Sequence, residues 1–188
     1  MNPELAGMVE QIDKIKEEGQ AVAAGLTDAQ LNWRAAPDRW SIAECLQHLN
    51  IAVSQTLPKF DAAIAAGRAA GKTAPGPFRY GWFSRWMVDS MEPPPKRRMG
   101  TFKIFSLPAG AMYRAHDLLP EFAAVRDRLA QRVRQADGLD LGRVKVTSPV
   151  NRLLRLPIGA YFAFVIAHDR RHLWQAREVR STPGFGTS

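Results

Sequence analysis

Residues 166–180 read IAHDRRHLWQAREVR, and two of the chain's four histidines, His168 and His172, fall in it four positions apart. Residues four apart on an α-helix share one face, about 6 Å apart along the axis. At about 100° per residue, Tyr161, Phe164, Val165, His168, His172, Gln175 and Val179 form one stripe, while Arg170 and Arg177 point elsewhere. Both imidazoles are therefore expected to face the interior. Such burial requires hydrogen-bond partners or a metal ion. Two imidazoles at this spacing can converge on one ion, with each nitrogen about 2.0–2.1 Å from it. Spacing alone leaves that reading beside a plainer one, a histidine pair hydrogen-bonded in a core or at a helix surface. Zinc proteases use the same spacing, but here Asp169, Arg170 and Arg171 intervene and no glutamate stands between the histidines.

The helix that carries the pair opens at Pro157 or Ile158 and runs to about Arg180. Upstream, Asn2 to about Leu26 reads as a helix with Leu5, Val9, Ile12, Ile15 and Val22 on one face. Thr27 and Gln30 match a capping box and start a short turn. Ser41 and Glu44 match a second one, opening a helix striped by Ile42, Leu46, Leu49, Val53 and Phe60 that ends by Gly67 or Gly71. Pro58 is a possible kink in it. Residues 71–112 are rich in Gly and Pro, with only Phe78 to Met91 helix-like. Their aromatic content, including Tyr80, Trp82, Phe83 and Trp86, points to an ordered crossover packed on the bundle rather than to disorder. Leu118 to Gln135 reads as a third long helix, with Phe122, Val125, Leu129 and Val133 inward and its arginines on the other side. Residues 138–157 connect it to the last helix without a convincing strand pattern, and residues 181–188 read as a flexible tail. The expected fold is all-α: a single domain over 1–188, a four-helix bundle with a long crossover connection.

Composition narrows the function. The chain has 188 residues, 46% of them hydrophobic, and one cysteine, Cys45, so an internal disulfide framework is excluded. The N-terminus lacks the basic and apolar regions of a signal peptide. The longest apolar run, IGAYFAFVIA, is about half of the roughly 20 residues that span a bilayer. A cytoplasmic protein without a membrane partner is expected. The net charge is +8, but the excess is spread along the chain; the only tight basic cluster, PPPKRRMG, contains no DNA-binding motif. A solvated basic surface is expected, with no nucleic acid bound.

A catalytic metal usually takes a third protein ligand. His48 is the candidate, at the edge of its helix's apolar stripe between the small side chains of Cys45 and Ala52. His116, ahead of the third long helix, is a weaker one. DRWSIAECLQHLN, residues 38–50, resembles the motif around the first histidine of the DinB-like (YfiT-like) superfamily. AHDRRHLWQAREV, residues 167–179, resembles that superfamily's C-terminal histidine pair followed by Gln. The order of the two motifs across a long crossover also matches. The resemblance implies a four-helix bundle with a divalent metal, zinc or nickel, held by His48, His168 and His172. Gln175 matches the superfamily's Gln. The resemblance also implies a homodimer, the state of many relatives.

Characterised members of that superfamily include transferases and isomerases that use low-molecular-weight thiols. The resemblance thus implies a metal-dependent enzyme acting on a small-molecule substrate, by thiol transfer or by hydrolysis, with a low-molecular-weight thiol as co-substrate. The alternative is a metal-containing protein that binds a ligand or partner without turnover. Glu44, one turn before His48, is the candidate catalytic base, with capping as its other role. Cys45 could join the metal or be a small core residue. Arg171 could pair with a substrate carboxylate.

Overall fold

The computed structural model describes residues 1–95 and 100–186, so Lys96, Arg97 and Arg98 of the basic cluster lie outside the described residues. Among the described residues six α-helices follow one another: α1 (Pro3–Ala23), α2 (Asp28–Leu31), α3 (Ile42–Ala69), α4 (Trp82–Asp89), α5 (Ala115–Gln135) and α6 (Ile158–Arg180). Two short strands, β1 (Lys145–Thr147) and β2 (Arg155–Pro157), pair antiparallel just before α6, with Val146 opposite Leu156. The fold is all-α, as expected. The hairpin is the element that the sequence pattern did not disclose. Three residues per strand are too few to establish a period of two.

Helix starts follow the sequence closely. Thr27 and Gln30 cap α2 reciprocally, and Ser41 and Glu44 do the same for α3. The last helix begins at Ile158, within the expected limits, whereas α5 begins three residues earlier than expected, at Ala115. Pro58 lies inside α3 on its exposed face, and the helix continues through it to Ala69.

The four long helices form a bundle in which α1 and α3 each pack against both α5 and α6. Contacts along the helices fix their directions. Asn50, Asp61 and Arg68 of α3 meet Arg126, Arg132 and Gln135 respectively, so α3 and α5 run parallel. Gln11 and Glu18 of α1 meet Arg170 and Arg177, so α1 and α6 are parallel as well. Parallel neighbours need a connection that returns the length of the bundle, about 30 Å for a helix such as α5. Residues 70–114 make that return. Along the way α4 packs on α6, and a 3₁₀ turn, Lys103–Phe105, packs on α3. Trp82, Phe83 and Trp86 do not pack on the bundle as expected: they are exposed on α4, and the buried residue of that helix is Ser84.

The core comprises Leu5 and Ile12 of α1, Leu46, Leu49 and Phe60 of α3, Phe122 and Leu129 of α5, and Phe162 and Leu173 of α6. At Gly19 a Cβ would stand 2.2 Å from the Phe122 ring, so glycine is what lets α1 and α5 approach there. Arg126 departs from the expectation that the α5 arginines face solvent. It is 0% exposed, its guanidinium lies 3.7 Å from the Phe122 ring centroid, and it forms a two-point pair with Asp169 of α6, itself fully buried. A third guanidinium nitrogen donates to Asn50 Oδ1 at 2.7 Å. These bonds satisfy the pair internally, as a buried charge requires. At the C-terminus, Phe185 meets the Trp33 ring edge-on, a contact not foreseen for a flexible tail. No described helix is long and apolar enough to cross a membrane.

Candidate metal centre

Helix α6 buries two faces. Phe162, Ile166, Asp169, Leu173 and Ala176 form the deeper one and enter the core. The stripe of Tyr161, Phe164, Val165, His168, His172 and Gln175 lines a cavity instead. The two histidines are thus partly buried beside open space rather than packed among side chains. α3 supplies the opposite wall, with His48, 3% exposed, facing α6.

The three histidines present one nitrogen each within 4.8 Å of one another, so the cluster could hold a metal ion. His48 Nε2 and His168 Nε2 are 3.3 Å apart. Two nitrogens that share a tetrahedral ion at about 2.0–2.1 Å stand about 3.3 Å from each other, so the spacing fits. The imidazoles are 4.6–5.2 Å apart between ring centroids, close for three groups that would repel one another if protonated.

Hydrogen bonds fix which nitrogen is free in two of the three rings. His48 Nδ1 lies 3.2 Å from the Phe105 carbonyl oxygen, which can only accept. His48 therefore donates from Nδ1 and leaves an Nε2 lone pair toward His168. His172 Nδ1 lies 3.1 Å from Gln175 Oε1, and the same argument leaves its Nε2 as an acceptor. Outer partners of this kind orient metal-ligating histidines and fix their tautomers. The sequence could not have pointed to Phe105: a backbone carbonyl has no residue signature, and it comes from the crossover. Trp40 was also missed as part of the site. Its ring stacks on His172 at 5.4 Å and 21°, and is tilted against His48 at 4.9 Å.

Electrostatics keep the cluster neutral. Burial lowers the His48 pKa, partly opposed by the Phe105 carbonyl. Burial, then His172, His48, Arg171 and Arg126, hold His168 well below the usual imidazole value. For His172, burial and then the neighbouring His48 and Arg171 push the pKa down to about 3. Neutral imidazole is the form that ligates a metal.

The other candidates fall away from the triad. Glu44, the candidate base, does not line this cavity. Its carboxylate accepts from the Ser41 amide at 2.9 Å and from Arg34 through two guanidinium nitrogens, and it lines a separate small cleft with Asn32 and Arg34. Cap and ion pair together occupy both oxygens, and burial of the carboxylate follows from them. Cys45 is 0% exposed within the core, where burial and the Glu44 charge push its thiol pKa far up, so it stays a protonated thiol. His116 is exposed and pairs with Asp117. Arg171 lines the cavity and donates to the Ser90 carbonyl at 3.1 Å.

The cavity has a volume of about 1020 Å³ and opens to solvent. Around the triad it is closed by Trp40 and Phe105, and further away by Trp86 and Met87 of the crossover. No curated protein and no solved structure matches the chain. A family model does: that of the DinB superfamily, over residues 11–176, a span that includes all three histidines.

Proposed function

Because this chain is a member of the DinB superfamily, we propose that His48, His168 and His172 bind a divalent ion, zinc or nickel, and that the protein is a metal-dependent enzyme. The reaction proposed is thiol transfer to a small electrophile, with a low-molecular-weight thiol as co-substrate; hydrolysis is the alternative outcome of the same site. One observation carries the reading: three neutral imidazoles, two of them with their tautomer fixed, converge at the wall of a large cavity. Three protein ligands with open positions characterise catalytic rather than structural sites. An ion held by three neutral ligands keeps its full charge and would favour the deprotonated form of a thiol or a water at neutral pH.

The chain's own residues account for the rest. Phe105 O and Gln175 Oε1 hold two imidazoles in the ligating tautomer. Trp40 covers one side of the pair and excludes water from it. The one cysteine of the chain, Cys45, is sealed in the core as a protonated thiol and supplies no thiol there. A thiol therefore has to enter through the cavity, which supports a co-substrate.

Elemental analysis of protein purified without added metal tests the site. About one zinc or nickel per chain is expected, and His168→Ala with His172→Ala should abolish it; full metal content in that variant would sink the assignment. Incubation of the metal-replete enzyme with an electrophile and a panel of thiols tests the reaction. Absence of both conjugate and hydrolysis product with either metal would leave the protein as a ligand-binding metalloprotein.

A further inference from the structure

The cavity is larger than a small thiol and a small electrophile require, and its two ends differ. On one side of the triad α6 contributes Gln175 and Glu178, the turn after it contributes Thr182, and the loop before α3 contributes the exposed Asp38 and Arg39. This side carries charged and polar side chains. On the other side α3 contributes Ala52 and Thr56, one and two turns beyond His48, and α6 contributes Val165 and Tyr161, one and two turns before His168. The two helices are antiparallel, as Phe60 against Phe162 also shows, so these positions extend the same way from the triad. The hairpin closes that end with Leu156 and Leu154. Eight residues of helix, from His48 to Thr56, give this arm a length of about 12 Å.

The arm is enclosed as well as apolar. Ala52, Thr56, Tyr161, Val165 and Leu156 are all less than 10% exposed yet line the cavity. Three hydroxyls line the arm and each is engaged within the protein: Thr56 with the Ala52 carbonyl at 2.8 Å, Tyr161 with Ser148, and Ser148 also with the Val150 amide at 3.3 Å. Water is held in a cavity by two to four polar partners, and an arm lined in this way supplies few. Its natural occupant is apolar.

Building on the triad as the reacting centre, we infer that the substrate is an elongated amphiphile. Its polar, reacting group sits at the histidines, and an unbranched apolar tail of up to about 12 Å lies between α3 and α6 toward the β1–β2 hairpin.

A homologous series of straight-chain alkanethiols tests this by calorimetric titration, with the metal-replete protein and with the chelator-stripped protein in parallel. Affinity should rise about fourfold per added methylene, the ratio that about 0.8 kcal/mol represents, and level off once the tail exceeds the arm. Thr56→Leu should bring the plateau to a shorter chain, and Ala52→Leu, closer to the triad, to a shorter one still. Circular dichroism and metal content confirm that each variant is folded. A flat response to chain length, or a plateau that neither variant moves, overturns the inference. The two readings fail separately. The slope with chain length reports the tail site and should persist without metal, whereas the constant difference between replete and stripped protein reports the triad. A slope without that difference would overturn the placement of the polar group at the histidines.

Discussion

Replacing Asp169 by Ala should be among the most damaging single changes in the protein, although the residue touches neither the cavity nor solvent. Asp169 and Arg126 are both 0% exposed, joined by bonds of 3.1 and 3.3 Å. Without the carboxylate, Arg126 keeps its 2.7 Å bond to Asn50 and its place over Phe122, but its charge is left buried and unpaired. Breaking such a pair from one side costs about 3–5 kcal/mol. For a chain of this size that corresponds to a fall of about 6–20 °C in Tm. Removing both charges with apolar residues of similar volume should cost much less, because the pair itself contributes little net stability. Arg126→Met with Asp169→Leu is therefore expected to regain most of the loss, except for about 1–3 kcal/mol from the Asn50 oxygen left without a donor. Adding Asn50→Leu should recover that remainder. Urea denaturation followed by circular dichroism gives each value from the midpoint, provided that the slope is unchanged. A cost below about 1 kcal/mol for Asp169→Ala, or a double variant no more stable than the single one, would show that water or a shifted side chain reaches Arg126 and would refute the argument.

Other perturbations separate the remaining roles. Gln175→Leu should weaken metal binding about 10–100-fold by releasing the His172 ring, measured by competition with a chromophoric chelator; unchanged affinity would deny Gln175 its positioning role. Acid should destabilise the metal-free protein: His172 has a pKa near 3 in the fold against 6.5 unfolded, so the unfolded state takes up the proton first as pH falls between those values. That residue alone should remove about 1.4 kcal/mol between pH 7.5 and 5.5, read from urea midpoints, and stability that is flat or rises over this range would contradict a buried neutral imidazole. Gly19→Ala should destabilise by about 1–3 kcal/mol despite its better helix propensity, because the new methyl meets the buried Phe122 ring; a stabilised variant would mean that the two helices separate freely. Glu44→Gln should lower stability by about 1–3 kcal/mol, the range for a hydrogen bond to a charged group, while metal stoichiometry stays the same; loss of the metal would return Glu44 to the site.

The sequence by itself determined the long helices, because each one repeats apolar residues with the helical period; capping boxes with local partners also marked the starts of α2, Thr27 with Gln30, and α3, Ser41 with Glu44. It also determined which histidines belong together, since a spacing of four on one helix needs no tertiary information, and the motif around His48 identified the third. Tertiary structure decided what periodicity cannot encode. The stripe of His168 and His172 lines a cavity rather than the core, because packing leaves the space between α3 and α6 unfilled beside them. Arg126 is interior, because a carboxylate 43 residues away meets it there. Glu44 points away from the cavity, toward Arg34, which binds its carboxylate. The Phe105 carbonyl orients His48 although every residue carries such a group, and only the path of the crossover brings this one within 3.2 Å. Local pattern fixes which residues share a face; what that face meets depends on contacts distant in sequence, where the chemistry of this site is assembled.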